Sequence, residues 1–118
     1  TLYTLAPDFS MYDYYVELNH AKIEKFETSL DGSFDVDAFI SNGKNKKVDM
    51  ILFSNPNNPT GHAISKLEMI QICEAFSNIP VIFDEAYMEF GNESAIDLLK
   101  TYPMAFVCMD LQEFVVGL

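Results

Sequence analysis

Residues Val48–Tyr87 read "VDMILFSNPNNPTGHAISKLEMIQICEAFSNIPVIFDEAY", and the order of patterns in this stretch decides the fold. Val48–Phe53 is a compact apolar run, the composition of a buried strand. Asparagines and prolines then crowd together as far as Gly61, so the strand ends in a turn-rich loop. "SKLE" at Ser65–Glu68 is a capping box, in which Ser65 bonds forward to the backbone and Glu68 reaches back. The helix it opens is expected to run to about Ser77 and to bury Leu67, Ile70, Cys73 and Phe76. Pro80 leads into the apolar "VIF", a strand that ends on Asp84.

The same alternation extends outward. Leu2–Leu5 reads as a short strand closed by Pro7. Ser10 is placed to cap a helix through about Asn19, with Met11, Tyr14, Tyr15 and Leu18 on one face. Lys22–Thr28 alternates apolar and polar residues, as a half-buried strand does. Asp31-Gly32 signals a turn, Asp35–Ser41 a short helix ended by Asn42-Gly43, and Lys44–Lys47 a solvated loop. Ser94–Tyr102 reads as a helix and Ala105–Cys108 as a strand. Strands alternating with helices imply right-handed crossovers and a parallel sheet. The expected fold class is therefore α/β: three α/β/α layers around a mostly parallel sheet.

The chain has 118 residues, 49% of them apolar and 10 of them phenylalanine, enough for one domain with a single core. Its formal charge is −11, which argues against a nucleic-acid backbone as ligand. All 7 basic residues are lysines. Without arginine there is no bidentate fork for carboxylate or phosphate. An anionic ligand must then be held by backbone amides, a lysine or another segment. No stretch approaches the ~20 apolar residues of a membrane span, and the opening residues lack the pattern of a secretory leader. Cys73 and Cys108 are too few and too far apart for a disulfide framework or zinc site. They are expected as free thiols, which with the other signals points to the cytoplasm.

In open α/β sheets ligands gather beyond the carboxyl ends of the strands. Ser54–Gly61 and Asp84–Tyr87 sit at two such ends. A carboxylate following three apolar strand residues is expensive to bury unless a cation or donor meets it. From position alone, Asp84 either caps the next helix or faces a protonated heterocycle, with the Tyr87 hydroxyl three residues on. "NPNNPTG" is either a plain double turn or a rigid mount for Asn58, whose amide both donates and accepts. His20 and His62 are isolated and expected in loops, and the acidic residues show no metal-ligand spacing.

Taken together, "NPNNPTG" and "DEAY" resemble the fold-type I pyridoxal-phosphate-dependent aminotransferases of class I/II. The longer "DEAYMEF", Asp84–Phe90, most resembles the histidinol-phosphate aminotransferase branch, as does the lead-in "PDFSMY" at Pro7–Tyr12. The likeness covers residues 1–108. It implies that Asn58 and Tyr87 share the phenolic oxygen of pyridoxal 5′-phosphate and that Phe9 stacks on its ring. It implies that Asp84 pairs with the pyridinium nitrogen, keeping the ring protonated as an electron sink. The implied substrates are an amino-acid-like donor, such as histidinol phosphate, and 2-oxoglutarate. The implied assembly is a homodimer, with Tyr12 or Tyr14 near the partner.

The likeness breaks at "VCMDLQE", Val107–Glu113. Glu113 falls where the family has the lysine that holds the cofactor covalently, Gln112 where it has serine and Met109 where it has arginine. A glutamate cannot form that link, so no catalytic residue is assigned and the chain is expected to be inactive as it stands. The glycine-rich phosphate turn, the substrate-binding arginines and the small domain are also missing. Residues 1–118 are thus expected as part of a large, cofactor-binding domain. Two alternatives stand beside this reading: a non-catalytic α/β piece that self-associates through an unpaired sheet edge, and a relative of the threonine-phosphate decarboxylases.

Overall fold

The computed structural model describes residues 1–6, 22–55, 57, 60–85 and 101–108. Five strands form one sheet: β1 (Leu2–Ala6), β2 (Ile23–Glu27), β3 (Met50–Ser54), β4 (Val81–Asp84) and β5 (Ala105–Cys108). Their spatial order is β2-β1-β3-β4-β5, and every described pairing is parallel. All five therefore end at one edge of the sheet. The α/β class with a parallel sheet, expected from the alternation of patterns, is the observed one.

Two helices are described, α1 (Val36–Lys46) and α2 (Lys66–Ala75). Both pack on one sheet face, in a core that combines Phe39, Met69, Ile72 and Cys73 with Tyr3, Leu5, Ile51, Phe53, Val81 and Phe83. Successive strand residues point to opposite faces, so Thr4, Leu52, Ser54, Ile82 and Asp84 look the other way. These five are also buried, as expected when both faces of a parallel sheet are covered. The expected helix at Ser10–Asn19 lies outside the described residues. So does that at Ser94–Tyr102, except for Thr101 and Tyr102, which are not helical.

Aromatic side chains knit the α1 side. Tyr3 stacks on Phe39 with ring centroids 4.4 Å apart, and Phe53 meets both Phe39 and Phe83 edge-on, the geometry that ring quadrupoles favour. The Tyr3 hydroxyl donates to the Phe39 carbonyl at 2.7 Å and accepts from Asn42 Nδ2 at 3.1 Å. A fully buried phenol is thereby satisfied at both lone pair and proton.

Two local expectations need correction. The helix expected over Asp35–Ser41 starts as foreseen, with the Asp35 carboxylate capping the amides of Asp37 and Ala38, but it continues to Lys46. Gly43 does not end it. A Cβ there would lie 2.7 Å from the Tyr3 ring and 2.9 Å from the Phe76 ring, so the glycine serves close packing. The left-handed cap is Lys47, with φ 53°, and Lys44–Lys46 form the exposed last turn rather than a loop.

The capping box of α2 is present in both directions: Glu68 N donates to Ser65 Oγ at 3.2 Å, and Ser65 N to Glu68 Oε1 at 3.0 Å. Its buried stripe is Met69, Ile72, Cys73 and Phe76, while Leu67 is 75% exposed and Ile70 half-buried. Leu67, Ile70, Cys73 and Phe76 are spaced in uniform steps of three. Such a set drifts around a helix of 3.6 residues per turn, whereas mixed steps of three and four hold one face.

Candidate functional site

Asp84 is the last residue of β4, 2% exposed, and level with Ser54 on β3 and Cys108 on β5. Side-chain alternation aims it away from α1 and α2, at the carboxyl edge of the sheet. Glu85, next along the chain, is 1% exposed. Two successive buried carboxylic residues at a strand end are costly in an ordinary core, and a polar ligand site is where such groups concentrate. On the same face, Thr4 Oγ1 is buried with no hydrogen-bond partner among the described residues.

The loop after β3 is built by its asparagines. Asn55 N donates to the Asp84 carbonyl at 2.9 Å, which ties the start of the loop to the end of β4. Asn55 Oδ1 accepts from Ile64 N at 2.9 Å, and Nδ2 reaches Met69 Sδ at 3.6 Å. One buried side chain thus joins the loop's entry, its return and the first turns of α2.

Asn57 closes the turn itself. Its Oδ1 accepts from Thr60 N at 3.1 Å and from Thr60 Oγ1 at 2.7 Å. Its backbone donates to the His62 carbonyl and accepts from Gly61 N, both at 2.7 Å. Gly61 has φ 78° with open space around it, so conformation and not crowding requires glycine there. The chain on either side of Asn58 and Pro59 is consequently fixed.

Of the residues assigned by sequence, the structure brings Asp84 to the carboxyl edge of the sheet beside this loop. Asn58, Tyr87, Phe9 and Glu113 lie outside the described residues. Asn55 and Asn57, which build the loop, were missed as positioning groups, as was the burial of Glu85. The signal for the first two was in plain view: three asparagines in four residues exceed what a turn needs. Among the described residues no cluster of His, Cys, Asp or Glu could hold a metal ion, and no helix is long and apolar enough to cross a membrane.

The family model for aminotransferase class I and II matches residues 1–110. The chain belongs to that family. It is 43% identical over 99 residues to a histidinol-phosphate aminotransferase of Clostridium novyi, covering 84% of this chain and 28% of that protein. Solved structures that share its backbone include the following two. The histidinol-phosphate aminotransferase of Clostridium acetobutylicum superposes with a TM-score of 0.79 at 25% identity, covering 90% of this chain and 32% of the other. A decarboxylase from Sulfurospirillum multivorans does so with a TM-score of 0.78 at 26% identity, over 90% and 32% of the two chains. The chain therefore spans under a third of the relatives it matches. The resemblance carried by "NPNNPTG" and "DEAY" is thus a true family relationship.

Proposed function

We propose that this chain carries the ring-binding half of a pyridoxal 5′-phosphate site, in a parent enzyme that moves an amino group from a histidinol-phosphate-like donor to 2-oxoglutarate. The observation that carries the reading is the Asp84 carboxylate, buried at the carboxyl end of a central parallel strand and tied through Asn55 to the "NPNNPTG" loop. The donor set fits the group: a buried carboxylate suits a protonated pyridine nitrogen, and an amide and a phenol suit a phenolate oxygen. When bound, the cofactor supplies an electron sink for charge developing at the substrate's α-carbon.

The chain's own residues hold and tune the ring. Asp84 would keep a proton on the ring nitrogen, since a buried carboxylate strongly favours a cationic partner. Asn58 would donate its amide N–H and Tyr87 its hydroxyl to the ring oxygen, and Phe9 would offer a flat face to the ring. Glu113, standing where the family has its lysine, forms no covalent link to an aldehyde. The chain by itself therefore binds the cofactor without turning over. The amino-acid donor and 2-oxo acceptor, a homodimeric parent and a cytoplasmic location belong to the same proposal. The free, buried Cys73 thiol suits a reducing compartment.

The test loads the chain with pyridoxamine 5′-phosphate, then adds 2-oxoglutarate. Saturable binding with no glutamate formed above the free-cofactor background is the expected result. Absence of binding overturns the site, and rapid glutamate formation overturns the role given to Glu113. The decarboxylase has a nearly equal backbone match, yet the 43% identity lies with an aminotransferase and favours amino transfer.

A further inference from the structure

We propose that the loop between β2 and α1, Ser29–Phe34, is a positioning element for the "NPNNPTG" turn, with Gly32 as the seat and Asn57 as the latch. The proposal rests on the reading that Asn58 in that turn meets the cofactor. Gly32 is buried with φ 88°, and it lies directly against the turn. A Cβ at this position would collide with Thr60 Oγ1 and would stand 2.7 Å from Thr60 Cβ and 2.8 Å from His62 Cβ. Only glycine lets the two loops approach this closely.

Thr60, the residue seated on Gly32, is the one that latches the turn. Its hydroxyl donates to Asn57 Oδ1 at 2.7 Å and accepts from His62 N at 3.3 Å. Displacing Thr60 therefore removes the two bonds its hydroxyl makes, to Asn57 Oδ1 and from His62 N, and in the sequence Asn58 lies between the latched residues.

The supporting loop is itself braced. Asp31 Oδ1 accepts from Ser33 N at 2.9 Å and Ser33 Oγ at 2.6 Å, and Gly32 N donates to the Ser29 carbonyl at 2.8 Å. The Ser33 bonds hold the Asp31 carboxyl below the usual carboxylate range, with a smaller contribution from nearby His62. Phe34 then wedges between the core and the turn, meeting Phe53 and His62 with ring centroids 6.4 Å away in each case. A segment with none of the family's motif residues thus sets the pose of one that has them.

The test reads amide hydrogen exchange and pyridoxamine 5′-phosphate affinity in the whole chain and in Gly32→Ala, Asn57→Ala and Asn57→Asp. Gly32→Ala and Asn57→Ala are expected to speed exchange at Thr60 and His62 about tenfold while Ile51–Phe53 and Val81–Phe83 keep their protection. Both are expected to weaken pyridoxamine 5′-phosphate about tenfold, whereas Asn57→Asp, which keeps the Oδ1 acceptor, restores protection at Thr60. Wild-type exchange at Thr60 and His62 in Gly32→Ala, or an equal rise in the strands, overturns the seat. A wild-type chain that ignores pyridoxamine 5′-phosphate overturns the cofactor reading, while the exchange arm still decides whether Gly32 seats the turn.

Discussion

Asn55 donates its backbone N–H to the Asp84 carbonyl at 2.9 Å, so the two family motifs are joined by a main-chain hydrogen bond across neighbouring strands. The side chain of the same residue accepts from Ile64 N at 2.9 Å in a buried setting. Asn55→Ala keeps the first bond and orphans the Ile64 amide. Leaving a buried donor unpaired costs about 1–3 kcal/mol, which urea unfolding will show as a lower midpoint. A change below about 0.5 kcal/mol, the range of ordinary surface substitutions, would contradict the bracing role given to Asn55.

Gly43 offers an unusual sign. In an exposed helix interior, glycine to alanine gains up to about 1 kcal/mol. Here the new methyl meets the Tyr3 and Phe76 rings at 2.7 and 2.9 Å. Overpacking of a tight core costs typically about 1–3 kcal/mol, so Gly43→Ala is expected to destabilise the chain on balance. Denaturant unfolding checks the direction.

Thr4 runs the other way. Its hydroxyl is buried without a partner among the described residues, and an unmade hydrogen bond of this kind costs about 1–3 kcal/mol. Thr4→Val keeps the branched shape suited to a strand and removes the orphan. Unfolding should shift to higher urea by roughly 1 kcal/mol.

Alkaline pH should loosen the core. Burial pushes the Tyr3 phenol from 10.0 up to about 12, with the Asn42 hydrogen bond only partly offsetting it. Burial likewise raises the Cys73 thiol from 9.0 to about 11, helped by nearby Glu74. Both folded values lie above the unfolded ones, so their contribution is complete below pH 9 and is lost as pH rises toward about 12. The Tyr3 share is of the order of 2–3 kcal/mol. Unfolding curves measured from pH 8 to 11.5 should show this loss, and Tyr3→Phe should flatten the part above pH 10.

Much of this architecture is legible in the sequence because its signals are local. Alternating or continuous apolar runs place β1 to β5 within a residue or two, and the Ser65–Glu68 capping box fixes the start of α2 from side chains alone. Failures arise where distant packing decides. Gly43 looks like a helix stop until Tyr3 and Phe76 are seen to need the space. Leu67 looks like core until the true stripe, Met69, Ile72, Cys73 and Phe76, turns it outward. At the site, Asp84 stands out as a carboxylate after an apolar strand. The roles of Asn55 and Asn57 depend on Ile64, Met69 and Thr60, and that of Gly32 on a loop about thirty residues further along. No periodicity reveals such partnerships.

The central claim is that Asp84 serves a cofactor ring. Titration with pyridoxamine 5′-phosphate tests it most directly, because that compound has no aldehyde to react with surface lysines. Calorimetry on the wild-type chain and on Asp84→Asn, with urea unfolding as a control for folding, reads the result. Saturable binding that weakens about tenfold or more in folded Asp84→Asn, as expected when a charge-assisted hydrogen bond is lost, is the predicted outcome. Equal binding by the two chains, or none by the wild type, would contradict it.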